Sequence, residues 1–205
     1  VWIKPELKKL RLMSCVGLFF LLAQIVMGGL TVLKVLDAYI VTMHLSLATI
    51  FLICLYSMKK SLAFDSSKIS HLSNSKTSRF FKANLVLGVG FVLVQIVLGG
   101  LVASTYSVIV CIDFPTCNGQ YFPELKGPIG IQVLHRFGAY WLSLLITSIF
   151  IFSIFFAKKL GLKQKHRKLG VSLFFLVCIQ IFVGVMNLKY LMPAALSVFH
   201  LALAL

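Results

Sequence analysis

Apolar residues fill this chain in runs of about the length that crosses a bilayer, each closed by basic or turn-forming residues. A transmembrane helix needs ~20 predominantly apolar residues. Six runs are read as spans: Leu12–Leu33, Ala38–Ser57, Ala83–Tyr106, Ile129–Ala157, Leu169–Leu188 and Pro193–Leu205. The fourth is long enough to tilt or to project from the bilayer. The last stops after 13 residues, too few to cross, and the chain begins at Val1 rather than at a methionine. Both ends are therefore read as cuts. The run from Leu12 is too long for the core of a cleavable signal peptide.

Within the apolar pattern, polar residues recur at fixed register. Gln24, Ile25, Gly28, Ala38, His44, Leu45, Leu47 and Ala48 are each repeated 156 positions later, so that QIVMGGLTVLKVLDAYIVTMHLSLA is echoed by QIFVGVMNLKYLMPAALSVFHLALAL. In both copies the glutamine precedes the histidine by 20 residues and a glycine follows the glutamine by four (Gly28, Gly184). Repetition of residues that are expensive in lipid marks the histidines as functional candidates.

Composition agrees with a membrane protein: hydrophobic residues make up 60% of the 205 and only 12% are charged, against roughly 25% in soluble domains. The excess of 20 Lys+Arg over 5 Asp+Glu would suggest nucleic acid in a soluble protein, but topology explains it here. Lys4, Lys8, Lys9 and Arg11 precede the first span. Lys59, Lys60, Lys68, Lys76, Arg79 and Lys82 separate the second from the third. Lys158, Lys159, Lys163, Lys165, Arg167 and Lys168 separate the fourth from the fifth, which puts 16 of the 20 on one side. The positive-inside rule makes that side cytoplasmic. The Ser-, Lys- and Asn-rich stretch Ser61–Ser78 reads as a flexible cytoplasmic linker, and His71 and His166 read as solvated loop residues.

The other three histidines share a depth. His44, His135 and His200 lie six or seven residues inside the starts of their spans, roughly 10 Å in at about 1.5 Å per residue. A single membrane histidine is most often a polar group bonded to a neighbouring helix. Three at one depth on three helices favour metal ligation, and facing imidazoles suit the axial positions of a haem iron. His135 and His200, 65 residues apart, form a pair; by the repeat, the partner of His44 would lie near position −21. The intact protein is therefore expected to be an all-α polytopic membrane protein, a tandem of two four-helix bundles, with six of eight spans here. Residues 1–60 would be half of the first bundle, 61–82 a linker, and 83–205 the second bundle.

Other candidates are weaker. Cys111 and Cys117, in CIDFPTCNGQYFPELKG on the outer side, can close a disulfide loop; free thiols, a redox couple and metal ligation are the alternatives. Cys15, Cys54 and Cys178 read as small buried hydrophobes. The pairs Gly28-Gly29 and Gly99-Gly100 read as close helix packing or room for a flat ligand. Arg136, beside His135, can snorkel to the outer interface and, beside a haem, can pair a propionate, two compatible readings. Gln132 shares a helix face with His135. No carboxylate lies inside a span.

Together, QIVLGGLVAST, CIDFPTCNGQYFP, HRFGAY and QIFVGVMNL…VFHLALAL resemble the second half of the haem A synthase family. That family oxidises a methyl of haem O to the formyl of haem A for cytochrome c oxidase. QIVMGGLTVLKVLDAYIVTMHLSLA is similar to the third and fourth helices of its first half. The resemblance implies that His135 and His200 bind a b-type haem and that His44 belongs to the site of the substrate haem O. It also implies that Cys111 and Cys117 form a disulfide. The family's catalytic glutamate would lie three before the missing partner of His44; its second-half counterpart here is Gln132, and no turnover is expected from this stretch alone. The implied partners are the lipid bilayer, haem O, a haem O synthase and an electron donor that the sequence does not name, with homo-oligomerisation left open. The implied location is a bacterial-type plasma membrane, with the cysteine loop outside. The competing readings are a non-enzymatic bis-histidine dihaem b-type electron carrier and a thiol–disulfide oxidoreductase using Cys111 and Cys117. The latter leaves the histidine repeat unexplained.

Overall fold

The structure, a computed structural model, describes residues 5–62, 76–156 and 164–205. The described residues form six α-helices: α1 (Pro5–Leu33), α2 (Ala38–Leu62), α3 (Lys76–Ser104), α4 (Gly127–Phe155), α5 (Gln164–Lys189) and α6 (Ala194–Ala204). A short 3-10 helix, Ser107–Val110, follows α3. Five helices are long and apolar enough to cross a membrane, while α6 is a shorter apolar helix. The chain is an all-α polytopic membrane protein.

The helices overrun the apolar runs. α1 starts at Pro5, before Leu12, and α3 starts at Lys76, inside the stretch expected to be linker. Hydropathy marks the part of a helix that lipid can solvate, whereas backbone hydrogen bonding continues through Lys- and Leu-rich flanks of good helix propensity. The remainder of that linker, with His71, lies outside the described residues. His166 is not a loop residue: it sits in the first turn of α5, its ring edge-on to Phe81 with centroids 5.8 Å apart.

The chain divides into two units, Val1–Ser70 and His71–Leu205. In the first, α1 and α2 pack as a hairpin. Asp37 caps α2, its Oδ1 accepting from the backbone N–H groups of Tyr39 at 3.0 Å and Ile40 at 3.1 Å, the usual remedy for unpaired donors at a helix start. In the second unit α3 packs on α4, α4 on α5 and α5 on α6, and α6 returns to α3, which closes a four-helix bundle. Among the described residues no packed seam joins α4 to α6. The α4–α5 seam is tight: Phe150 and Phe174 stack at 4.5 Å, and a Cβ on Gly170 would collide with Ser153 Oγ.

The turns repeat more closely than the sequence does. In the α1–α2 turn, Val35 and Leu36 have φ of 51° and 59°; in the α5–α6 turn, Leu191 and Met192, each 156 positions later, have φ of 55° and 59°. Four backbone hydrogen bonds recur at the same register, as in Leu36 N to Thr31 O at 2.8 Å and Met192 N to Asn187 O at 2.8 Å, while Asp37 N to Lys34 O has no counterpart because Pro193 lacks an N–H. The end of α3 starts the same turn, with Tyr106 at φ 52°, and then departs into the 3-10 helix and the loop that joins it to α4.

That loop is tied down at several points. Cys111 and Cys117 are joined by a disulfide, Cα–Cα 5.0 Å. Cys117 and Gln120 exchange backbone hydrogen bonds at 2.8 and 3.0 Å across Asn118-Gly119, both with positive φ, the signature of a two-residue hairpin turn. Both cysteines are buried with Val133 against Ile129 and Phe137. Cys15 and Cys178, by contrast, are exposed and Cys54 is half-buried. Their expected burial fails because an apolar side chain in a membrane helix is already satisfied by lipid.

Candidate functional site

Each of the three membrane histidines rests on a glycine of the preceding helix. A Cβ on Gly28 of α1 would lie 3.0 Å from Cε1 of His44 on α2. For Gly99 of α3 and His135 of α4 the distance is 3.2 Å, and for Gly184 of α5 and His200 of α6 it is 3.1 Å. All are below the ~3.5–4.0 Å of a comfortable carbon–carbon contact. The glycines are therefore where the imidazoles lodge. The room expected for close backbone packing at the glycine pairs is taken by the ring, and a Cβ on the neighbouring Gly29 would meet nothing within 4 Å.

One helical turn before each glycine stands a glutamine, and it too reaches the histidine. Gln95 Nε2 donates to the His135 carbonyl at 3.0 Å and Gln180 Nε2 to the His200 carbonyl at 2.9 Å. The Gln180 amide nitrogen also lies 3.4 Å from His200 Nε2. In the first unit it is the Gln24 backbone carbonyl that accepts from His44 Nδ1, at 2.9 Å. A carbonyl only accepts, so Nδ1 carries the proton and the Nε2 lone pair of His44 is left available for a metal.

The Gln95–His135 unit escaped the repeat seen in the sequence because 40 residues separate the two instead of 20. The disulfide loop is inserted between them. The shared QIVxGGL frame around Gln24 and Gln95 was the available signal, and it pointed to His135 once the loop was discounted.

Arg136 reaches from α4 into the disulfide loop. Its Nη1 donates to Thr116 O at 2.7 Å and its Nη2 to Cys111 O at 2.6 Å, so the guanidinium clamps the disulfide loop onto α4. Gln132 is 4% exposed, and its Oε1 has no hydrogen-bond partner.

The residues fit a haem. The Nδ1 atoms of His135 and His200 are buried without a partner, a condition that native structures rarely leave unsatisfied. Among the described residues no group of three or more His, Cys, Asp or Glu could hold a bare metal ion. A pair of histidines completes the coordination of an iron whose other four positions come from a porphyrin.

Fold and site thus define a polytopic membrane protein whose helix pairs carry histidines seated on glycines. The chain belongs to the COX15-CtaA family, described as cytochrome oxidase assembly protein, whose model matches residues 1–205. Among curated relatives, a heme A synthase of Shouchella clausii is 27% identical over 158 residues, covering 75% of this chain and 52% of the relative. One of Bartonella tribocorum is 27% identical over 189 residues, covering 86% of this chain and 50% of the relative. One of Rickettsia bellii is 32% identical over 129 residues, covering 56% and 36%. The chain spans about half the length of the curated relatives it matches.

Proposed function

We propose that the protein is a membrane oxidoreductase of the haem A synthase type, converting haem O to haem A by oxidation of a porphyrin methyl to a formyl for cytochrome c oxidase biogenesis. The observation that carries this reading is the histidine lodged on glycine at three equivalent places, in a chain of a family described by cytochrome oxidase assembly. His135 and His200 would hold a b-type haem, and His44 would ligate the substrate haem O. A bound haem supplies an iron that exchanges single electrons in a low-dielectric bundle.

What the protein contributes is placement. The glycines admit the rings, the glutamines hold the ligand histidines, and the carbonyl of Gln24 keeps the proton of His44 on Nδ1. The four backbone hydrogen bonds shared by the α1–α2 and α5–α6 turns support a common origin for the two units and a tandem of bundles. The basic residues at the α2 end, Lys59 and Lys60, and at the α5 start, Arg167 and Lys168, support a cytoplasmic location for those ends. The disulfide loop would then face outward in a bacterial-type plasma membrane. A haem O synthase would supply the substrate.

The test is expression of the full-length gene with a haem O supply, followed by extraction and identification of the haems. Haem A should form alongside retained haem b. Retained haem b with no haem A would exclude the synthase reading and leave electron carriage.

A further inference from the structure

Both bundle histidines are gripped at two points by one neighbouring helix. On α3, Gly99 abuts the His135 ring at 3.2 Å, and Gln95, one turn away, donates to the His135 carbonyl at 3.0 Å. On α5, Gly184 abuts the His200 ring at 3.1 Å, and Gln180 donates to the His200 carbonyl at 2.9 Å. A contact at the ring alone would leave its helix free to slide or rotate. A second contact one turn away, about 6 Å along the axis, fixes both the height and the rotation of the residue. The amide orientation is settled by chemistry, because a carbonyl can be met only by the N–H side. That leaves the Oε1 of each glutamine buried and without a partner. Leaving an acceptor unsatisfied is a cost that a merely apolar side chain at these positions would avoid.

The fold reinforces the grip at Gln95. Gly138, one turn beyond His135 on α4, lies under the amide: a Cβ there would fall 2.8 Å from Gln95 Nε2 and 2.9 Å from both Cδ and Oε1. The glycine makes room for that hydrogen bond.

We infer that Gln95 and Gln180 are positioning residues for the haem ligands His135 and His200, setting the orientation of each imidazole through its main-chain carbonyl. The inference rests on the haem-ligand reading above. It is tested in the full-length protein purified with its haem b, by low-spin electron paramagnetic resonance and by redox titration. Gln95→Leu and Gln180→Leu should retain haem but shift the highest g-value and the midpoint potential. Gly138→Ala is the independent arm. Its methyl meets only the movable end of the Gln95 side chain, so the variant should fold and reproduce the Gln95→Leu spectrum. Gln164→Leu, at the exposed start of α5, should leave both signals unchanged. Wild-type spectra and potential in Gly138→Ala, or in both leucine variants, would overturn the inference. Wild-type protein without bound haem would overturn the haem reading itself.

Discussion

Replacement of Gly99 by alanine tests the ring side of the site most directly. The added methyl would lie 3.2 Å from His135 Cε1 and 3.8 Å from each ring nitrogen. Comfortable carbon contacts begin at about 3.5 Å, so ring and helix must part by a few tenths of an ångström. Spreading α3 from α4 is overpacking, at about 1–3 kcal/mol. Tilting the ring off its rotamer costs about 0.5–1.5 kcal/mol. The tilt wins, because the Gln95 hydrogen bond pins the backbone of His135 while its Nδ1 has no partner to lose. A strain of about 1 kcal/mol corresponds to roughly fivefold weaker haem retention. Gly90, on the same helix with nothing within 4 Å of a Cβ, is the control. Alanine there should be neutral or should favour the helix by up to about 1 kcal/mol. The assay is the rate of haem transfer from purified full-length protein to apomyoglobin, with thermal melting alongside. Equal transfer rates for Gly99→Ala and Gly90→Ala would refute the argument that the glycine exists to seat the ring.

Four further outcomes are expected. His135→Ala and His200→Ala should each abolish the low-spin haem b spectrum, read by visible absorption; retention in both would remove the ligand assignment. Arg136→Ala should release the disulfide loop, since it loses two charge-assisted hydrogen bonds worth about 1.5–3 kcal/mol each; amide exchange across residues 107–122 should rise while that of α5 does not. Val35→Gly and Leu191→Gly should stabilise the protein, because left-handed backbone at non-glycine residues costs about 1–2 kcal/mol each, and a melting temperature unchanged in both would contradict it. Gly170→Ala should lower the melting temperature through overpacking of about 1–3 kcal/mol, because the methyl meets the short, immobile side chain of Ser153.

Much of this molecule was legible in the linear chain. A bilayer can accept only helices whose own backbone satisfies its hydrogen bonds, so long apolar runs have one structural solution, and the five membrane-length helices follow from the hydropathy pattern. Helix ends did not follow, since propensity carries α1 and α3 into basic flanks that hydropathy treats as loop. His44, His135 and His200 were also legible, because a polar residue repeated at one depth in lipid is costly. Arg136 was legible as a residue of consequence, but its hold on the disulfide loop was not: its two acceptors, Thr116 O and Cys111 O, are main-chain atoms, and every residue carries the same ones.

The sequence by itself determined the helical class, the clustering of basic residues between particular apolar runs and the register of three histidines within them, because each depends on residue type and spacing along one chain. Only the tertiary structure decided what those histidines touch. That Gly28, Gly99 and Gly184 receive the rings, that Gln95 and Gln180 hold the carbonyls of His135 and His200, and that Gly138 clears space for Gln95 all depend on how one helix is turned toward the next. Such contacts are set by packing across helix pairs, where an atom's partner is a neighbour in space at distances of about 3 Å.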